Sequence, residues 1–500
     1  MLSQLFAPAL LTLDGELVTI ECDLASGLPG FVVVGLADKS VDEARERVRS
    51  AIKNSGLLLP PKRITLNLAP ADLPKDGTGY DLGMAVAILV ASHQISPDTV
   101  TRSLFLGELA LDGSLRPVRG AVLAAQLAAE QGFSHVYVPL ANAAEAALLP
   151  DIKVIGVTSL AELYRHLVGL APLAVVPPTT PKLNTTHNSG VDMGHIYGQG
   201  HARRALEIAA AGGHNILLSG PPGAGKTLMS RALSSLLPPP TFEELLEITK
   251  VYSLAGLNTD TVASNRPFRA PHHTASSVAL IGGGGHPRPG EISLSHRGVL
   301  FLDELPEFPR SVLEVLRQPL EDGRVTIARA ARVVTYPAQF MLVATRNPCP
   351  CGYAGTNRCT CSPSTINRYQ RRLSGPLLDR IDLIVEVAPV DREALTTQAG
   401  GESSTAIRAR VTAARQRQHD RIQGGAAELN GQMTTAAIKQ FCRLRSDATS
   451  LARQAVQSFQ LSARGYTRVL KVARTIADLA AHEEIEPADL TEALQYRSRV

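Results

Sequence analysis

The tightest constraint on this chain is one octapeptide, Gly220, Pro221, Pro222, Gly223, Ala224, Gly225, Lys226 and Thr227, placed directly after the apolar run Asn215, Ile216, Leu217, Leu218, Ser219. A helical pattern follows over 228–237 and stops at three prolines. Strand, glycine loop and helix in that order are the setting in which G-x-x-x-x-G-K-T holds phosphates. The glycines allow a tight backbone turn, so that N–H groups and the helix N-terminus face the anion. Lys226 is then placed to reach the β and γ phosphates, and Thr227 to ligate Mg²⁺. A chance glycine turn is the alternative, and it gives no reason for a buried strand before the loop and a helix after it.

Asp303 and Glu304 end a second apolar run, 299–302, 76 residues after Thr227. Two carboxylates at the end of a buried strand need a cation. Asp303 is expected to hold Mg²⁺ through water and Glu304 to polarise the attacking water, because phosphoryl transfer depends on positioning and charge neutralisation. Capping of the following helix is the plainer reading. A third apolar run, 340–344, leads through Thr345 and Arg346 to Asn347, a residue suited to hydrogen-bond the lytic water or the γ-phosphate.

Single cores stop growing at roughly 250–300 residues, so 500 residues should hold several. Apolar runs alternate with helical patterns up to residue 168 and again from 191 to 392, and the chain turns helical over 393–500. Residues 169–190 are rich in Ala, Pro, Thr and Asn and are expected to be an extended linker. The net charge of +4 conceals an asymmetry, with 15 Lys and Arg against nine Asp and Glu in residues 403–500. A basic segment of this kind signals either a nucleic-acid partner or a solvated helical face. The apolar start has no basic leader and runs into Asp14 and Glu16, which argues against a signal peptide. No apolar run approaches the roughly 20 residues of a membrane span, so a cytoplasmic protein with no membrane partner is expected. Four of the six cysteines, Cys349, Cys351, Cys359 and Cys361, form C-x-C, seven residues, C-x-C. That spacing fits either four thiolates around Zn²⁺ or free thiols in a reducing compartment.

These motifs, with FRAPHHTAS at 268–276, GGGGHPRPGEISLSHRGVLFLDEL at 282–305, NPCPCGY at 347–353, LSGPLLDRIDL at 373–383 and SARGYTRVLKVARTIADL at 462–479, resemble the magnesium chelatase-like AAA+ ATPases, specifically the bacterial YifB/ComM family. The resemblance covers nearly the whole chain. It implies an α/β multidomain protein: an N-terminal α+β domain like the Lon protease domain (ribosomal S5 domain 2-like), a central P-loop AAA+ core and a C-terminal helical lid. It also implies ATP with Mg²⁺ and a homohexameric ring in which each site takes an arginine from its neighbour. By motif match the finger is Arg380, or else Arg380 pairs with Asp379 or Asp382. Arg464 looks like the lid's second sensor, with Arg468 as its rival.

Two insertions would face the ring's pore: the glycine-rich segment 282–290 with His286 and Arg288, and a hairpin over 324–336 with Arg329 and Arg332 near its tip. Basic tips suit a phosphate backbone, which is read without regard to sequence; an ordinary solvated hairpin is the alternative. The Lon-like domain carries Gly79, Tyr80, Asp81 where the nucleophilic serine would fall, and Arg119, Gly120, Ala121, Val122 where the partner lysine would fall. Without a hydroxyl beside a base there is no activated nucleophile, so a scaffold or docking domain is expected. The resemblance points to a motor on single-stranded or branched DNA, a helicase promoting branch migration in natural transformation and recombination. A protein-remodelling ATPase like the magnesium chelatase subunit is the competing reading, and the Lon-like domain counts against it. An ATP-dependent protease is disfavoured by the missing dyad.

Overall fold

Four consecutive buried apolar residues cannot alternate between a wet and a dry face, so such runs belong inside a sheet covered on both sides. Val299–Leu302, Ile216–Ser219 and the first five residues of Met341–Arg346 behave in this way in a computed structural model of the chain, whereas in the edge strand Leu383–Glu386 only Leu383 and Val385 are buried. With Phe268–Arg269 at the edge they form a five-stranded sheet in the order Phe268–Arg269, Val299–Leu302, Met341–Arg346, Ile216–Ser219, Leu383–Glu386. Every neighbouring pair is parallel. Full burial of each Leu, Ile or Val here contributes on the order of 1.5–3 kcal/mol. The structure describes residues 2–35, 39–75, 77–181, 191–257, 265–284, 288–329, 332–389, 401–421 and 429–497.

Register sets where the loops meet. Ser219 pairs with Arg346 and Glu386, and Leu302 with Ala344. The segments that follow these strands, Gly220 onward, Asp303 onward and Asn347 onward, therefore emerge at one edge of the sheet. Crevices at the carboxyl ends of parallel strands are where such folds bind ligands.

The C-terminal helices lie where the sequence pattern puts them: Ser404–Arg421, Thr435–Phe441, Ser446–Ser458, Ala463–Ala480 and Pro487–Gln495. Ser404–Arg421 and Ala463–Ala480 pack on Gly200–Gly212, which precedes the P-loop strand. Their apolar residues share one core with Ile216, Leu218 and Val385. Part of the basic excess here is engaged with other groups of the protein, while Arg410, Arg417, Lys439, Arg443, Arg445, Arg453 and Arg464 are exposed. Arg410 meets Glu207 and Glu402, Arg415 donates to the Ala210 carbonyl, and Arg421 and Arg474 both meet Asp478. Internal pairing accounts for Arg415, Arg421 and Arg474, which are half-buried or buried.

The N-terminal part is built on a seven-stranded sheet, ordered Gly30–Val34, Arg63–Ala69, Glu16–Ala25, Leu2–Ala9, Ser103–Phe105, His135–Pro139, Lys153–Val157. Asp81–Ala91 is buried along its whole length and lies against Leu2–Ala9 and Glu16–Ala25. Asp81, in the stretch where the nucleophile would fall, is fully committed. Its carboxylate takes both Nε and Nη2 of Arg47 (2.7 and 3.0 Å) and the Leu109 N–H (3.2 Å). Burial nevertheless pushes its pKa up to about 6 against the pull of Arg47. Tyr80, in the same stretch, is also buried, and neither this stretch nor 119–122 holds a serine or a lysine.

The segment read as a linker runs against this domain in its first half. The Val176 and Thr179 N–H groups donate to Val154 and Ala147 (both 2.8 Å), and residues 182–190 lie outside the described residues. The N-terminal part also touches the part built on the five-stranded sheet directly. Ser253 accepts from the Gly120 N–H at 2.8 Å and donates to Glu145. Among the described residues no helix is long and apolar enough to cross a membrane.

Candidate nucleotide site

Gly223 and Gly225 adopt φ of +78° and +84°, the left-handed region that side chains avoid, and a Cβ on Gly220 would stand 2.3 Å from the Val387 carbonyl oxygen. The loop so formed ends in the helix Lys226–Leu236. Lys226 donates to the Gly220 and Pro221 carbonyls (2.6 and 2.8 Å) and to Asn347 Oδ1 (3.1 Å). Burial lowers its pKa, opposed by the nearby charges of Asp303 and Glu304. A buried ammonium aimed into a glycine cradle is the arrangement an anion would complete.

Thr227 donates to Asp303 Oδ2 at 3.1 Å, and Thr345 donates to Asp303 Oδ1 at 2.5 Å. The same Thr345 oxygen accepts the Glu304 N–H at 2.9 Å. Glu304 itself has φ +52°, a strained conformation for a residue with a side chain. Its Oε1 accepts from Asn347 Nδ2 at 3.4 Å, so Asn347 bridges Lys226 and Glu304. Hydroxyl and carboxylate oxygens of Thr227 and Asp303 form the hard donor set that Mg²⁺ takes. Lys226, Thr227, Asp303, Glu304 and Asn347 are thus brought together as expected.

Sequence reasoning misses Thr345 and Arg346. Burial lowers the Arg346 pKa, and its Nε donates to Ser219 at 3.1 Å, tying the strand before the P-loop to the strand before Asn347. Thr345 carries no motif of its own; only its position at the end of a buried strand points to it.

Arg380 and Arg464 lie elsewhere. Asn215 and Asp382, which precede the paired strands at Ile216 and Leu383, mark the opposite edge of the sheet from the P-loop. There a cavity of about 450 Å³ is lined by Asp382, Glu321, Arg380, Arg464, Arg468 and Lys471 among others. Arg380 meets Glu321 and the Pro376 carbonyl (2.7 Å), while its buried Nε has no partner among the described residues. It pairs with neither Asp379 nor Asp382. Arg464 is 67% exposed and stands 3.7 Å from the same Glu321. Arg468 is withdrawn, 3.9 Å from Asp382, and burial lowers its pKa. Neither Arg380 nor Arg464 therefore faces this chain's own P-loop.

Arg324–Arg329 and Arg332–Pro337 do form a hairpin, with Arg329 paired to Arg332 at its tip. Val325, Ile327, Val334 and Tyr336 are buried and Val333 is 61% exposed. The Arg329 and Arg332 side chains lie outside the described residues, as does His286. Arg288 pairs back to Gly283 and is exposed at a second cavity of about 450 Å³. That cavity is shared with Gly79, Tyr80, Glu108 and Arg119 of the N-terminal part, so Arg288 stands beside that domain.

The four cysteines lie just beyond Asn347, with their sulfurs all within 4.8 Å of one another, a group able to hold a metal ion. Backbone amides of Thr360 and Tyr353 hold the Cys351 thiol down near 6.

Residues 192–395 match the family described as magnesium chelatase, subunit ChlI; residues 20–142 match subunit ChlI of Mg-chelatase, and residues 401–497 the ChlI C-terminal family. The chain is 45% identical to competence protein ComM of Haemophilus influenzae over 505 residues, covering 100% of this chain and 98% of that protein. It is 43% identical to YifB of Escherichia coli over 501 residues, 99% and 97% of the two chains. The magnesium-chelatase 67 kDa subunit of Chlorobaculum parvum is 28% identical over 203 residues, 39% of this chain and 26% of that one. The N-terminal part, expected to set the chain apart from that subunit, matches a family named for it, and so does not decide between the two readings.

Proposed function

Because the chain belongs to the magnesium chelatase-like ATPase family that includes ComM and YifB, we propose that it is an ATP-hydrolysing ring motor acting on single-stranded or branched DNA. The observation that carries the ring is the position of Arg380 and Arg464 at the opposite edge of the sheet from their own P-loop. An arginine so placed serves a nucleotide only by entering a neighbour's site. A head-to-tail interface of this kind closes into a ring when the rotation closes; six subunits is the number we propose.

Mg²⁺ held by Thr227 and Asp303 would neutralise phosphate charge. Lys226 holds the β and γ oxygens, giving up its bonds to the loop carbonyls. Glu304, fixed through Thr345 and Asn347, orients a water and takes its proton as the water oxygen attacks the γ-phosphorus and the bond to the β-phosphate oxygen breaks, releasing ADP. Arg380 of the next subunit leaves Glu321 and meets the charge that builds on the leaving oxygens. Arg464, the more exposed of the pair, is the proposed second sensor and acts in the same direction. The four cysteines are the proposed zinc site. We place the chain in the cytoplasm.

DNA is proposed from the hairpin with Arg329 and Arg332, with Arg288 as a further contact beside the N-terminal domain. The full-length likeness to a protein named for competence favours branch migration during transformation. Labelled single-stranded and branched DNA should bind with a steep inverse dependence on salt. Replacing Arg329 and Arg332 together by Ala should flatten the slope of log K against log salt by about 2, or about 1 for each phosphate that no longer meets an arginine. An unchanged slope would remove the hairpin from the DNA path. Absence of binding even at low salt would leave protein remodelling, which the likeness to the magnesium-chelatase subunit favours, as the better reading.

A further inference from the structure

The cysteine cluster is joined to the nucleotide site at two points and to a neighbouring helix at a third. Asn347, which touches both Lys226 and Glu304, precedes Cys349 by two residues. Gly352, between the two C-x-C pairs, has φ +84°, and a Cβ there would stand 2.5 Å from Pro222 Cδ, so the loop rests on the first turn of the P-loop. On the far side Gln370, at the end of the helix Pro363–Gln370, donates to the Pro348 carbonyl at 3.4 Å.

The sulfurs have the spacing of a ligand set. Cys349 is 3.3 Å from Cys351 and 3.9 Å from Cys359, and Cys351 is 3.7 Å from Cys359. Four thiolates bound tetrahedrally at about 2.3 Å stand about 3.8 Å apart. All four cysteines are free of disulfides. Thiolates alone, four to a site, suit zinc and exclude the hard cations. The loop between the pairs contains no helix or strand to hold it. Without a crosslink its contact with Pro222 rests on turns alone.

We infer that Zn²⁺ bound by Cys349, Cys351, Cys359 and Cys361 braces the P-loop, holding Gly352 against Pro222 and Asn347 against Lys226 and Glu304, so that the metal sets the competence of the nucleotide site. The bracing role rests on the ATPase reading above; the metal site does not.

The full-length protein purified from zinc-supplemented medium should contain about one zinc per chain. After exchange with cobalt it should show the thiolate charge-transfer and ligand-field bands of a tetrahedral four-sulfur site. Cys359→Ser should lose the metal and lower both fluorescent-ATP binding and hydrolysis by roughly tenfold or more. Cys359→His should keep metal and part of the activity. Gly352→Ala should keep zinc and still lower hydrolysis, because it disturbs the contact with Pro222 while leaving the ligands in place. Circular dichroism melting identifies any variant that has lost its fold. Wild-type protein without metal, or a folded zinc-free variant that hydrolyses ATP at the wild-type rate, would overturn the inference. Zinc present in a wild-type chain that hydrolyses no ATP would instead overturn the ATPase reading and leave the metal site standing.

Discussion

Glu304→Gln is expected to leave ATP binding within a few-fold of wild type and to cut hydrolysis by roughly 10²–10⁴-fold, the usual worth of a positioned acid–base group. The size of the effect follows from how the carboxylate is held. Glu304 sits at φ +52° with its N–H on Thr345 and its side chain on Asn347. A strained residue over-determined by its neighbours has little freedom to be replaced by another base. Glutamine keeps the shape and the hydrogen bond to Asn347 but cannot accept a proton. The bound nucleotide should accumulate unhydrolysed, which a filter or fluorescence assay reads directly. Hydrolysis within a few-fold of wild type would mean that another group serves the water, since the Glu304 side chain does not cap the following turn either.

Arg380→Ala is expected to lower hydrolysis by about 10³-fold or more with binding preserved, the range in which arginine fingers act. This chain's own site contains no interaction that the substitution would remove, since Arg380 meets Glu321 and Pro376 at the far edge of the sheet. The defect must therefore be felt in the next subunit. Mixing Arg380→Ala chains, which keep an intact P-loop, with Lys226→Ala chains, which keep an intact finger, should rebuild working sites. Random mixing in equal amounts places a complete pair at about a quarter of the head-to-tail interfaces, so activity should return from two inactive proteins. No recovery on mixing, in protein shown to assemble, would mean that Arg380 has a structural role at the Glu321 cavity.

The core of the nucleotide site was legible because each of its strands is a short run of consecutive apolar residues ending in the residue that carries the chemistry. Asp303, Glu304 and Asn347 could be placed beside Lys226 without knowing the sheet order. Thr345 could not, because its role exists only once Met341–Arg346 lies between Val299–Leu302 and Ile216–Ser219. Glu321, the partner shared by Arg380 and Arg464, is 59 residues from Arg380 and belongs to no motif. The C-terminal helices were legible from their periodicity. The destinations of their arginines were not, since Asp478 and Glu207 meet them through packing that charge counts do not contain. The position of Arg288 beside the N-terminal domain is likewise a product of tertiary structure, as is the rest of Gly352 upon Pro222.

The most direct measurement is ATP hydrolysis by the purified full-length chain with and without branched DNA, at low and moderate salt, with Glu304→Gln as the inactive control. The account predicts hydrolysis that rises with branched DNA, loses that rise as salt increases, and vanishes in the control. Robust hydrolysis indifferent to every DNA structure across both salt conditions would contradict it and make protein remodelling the leading function.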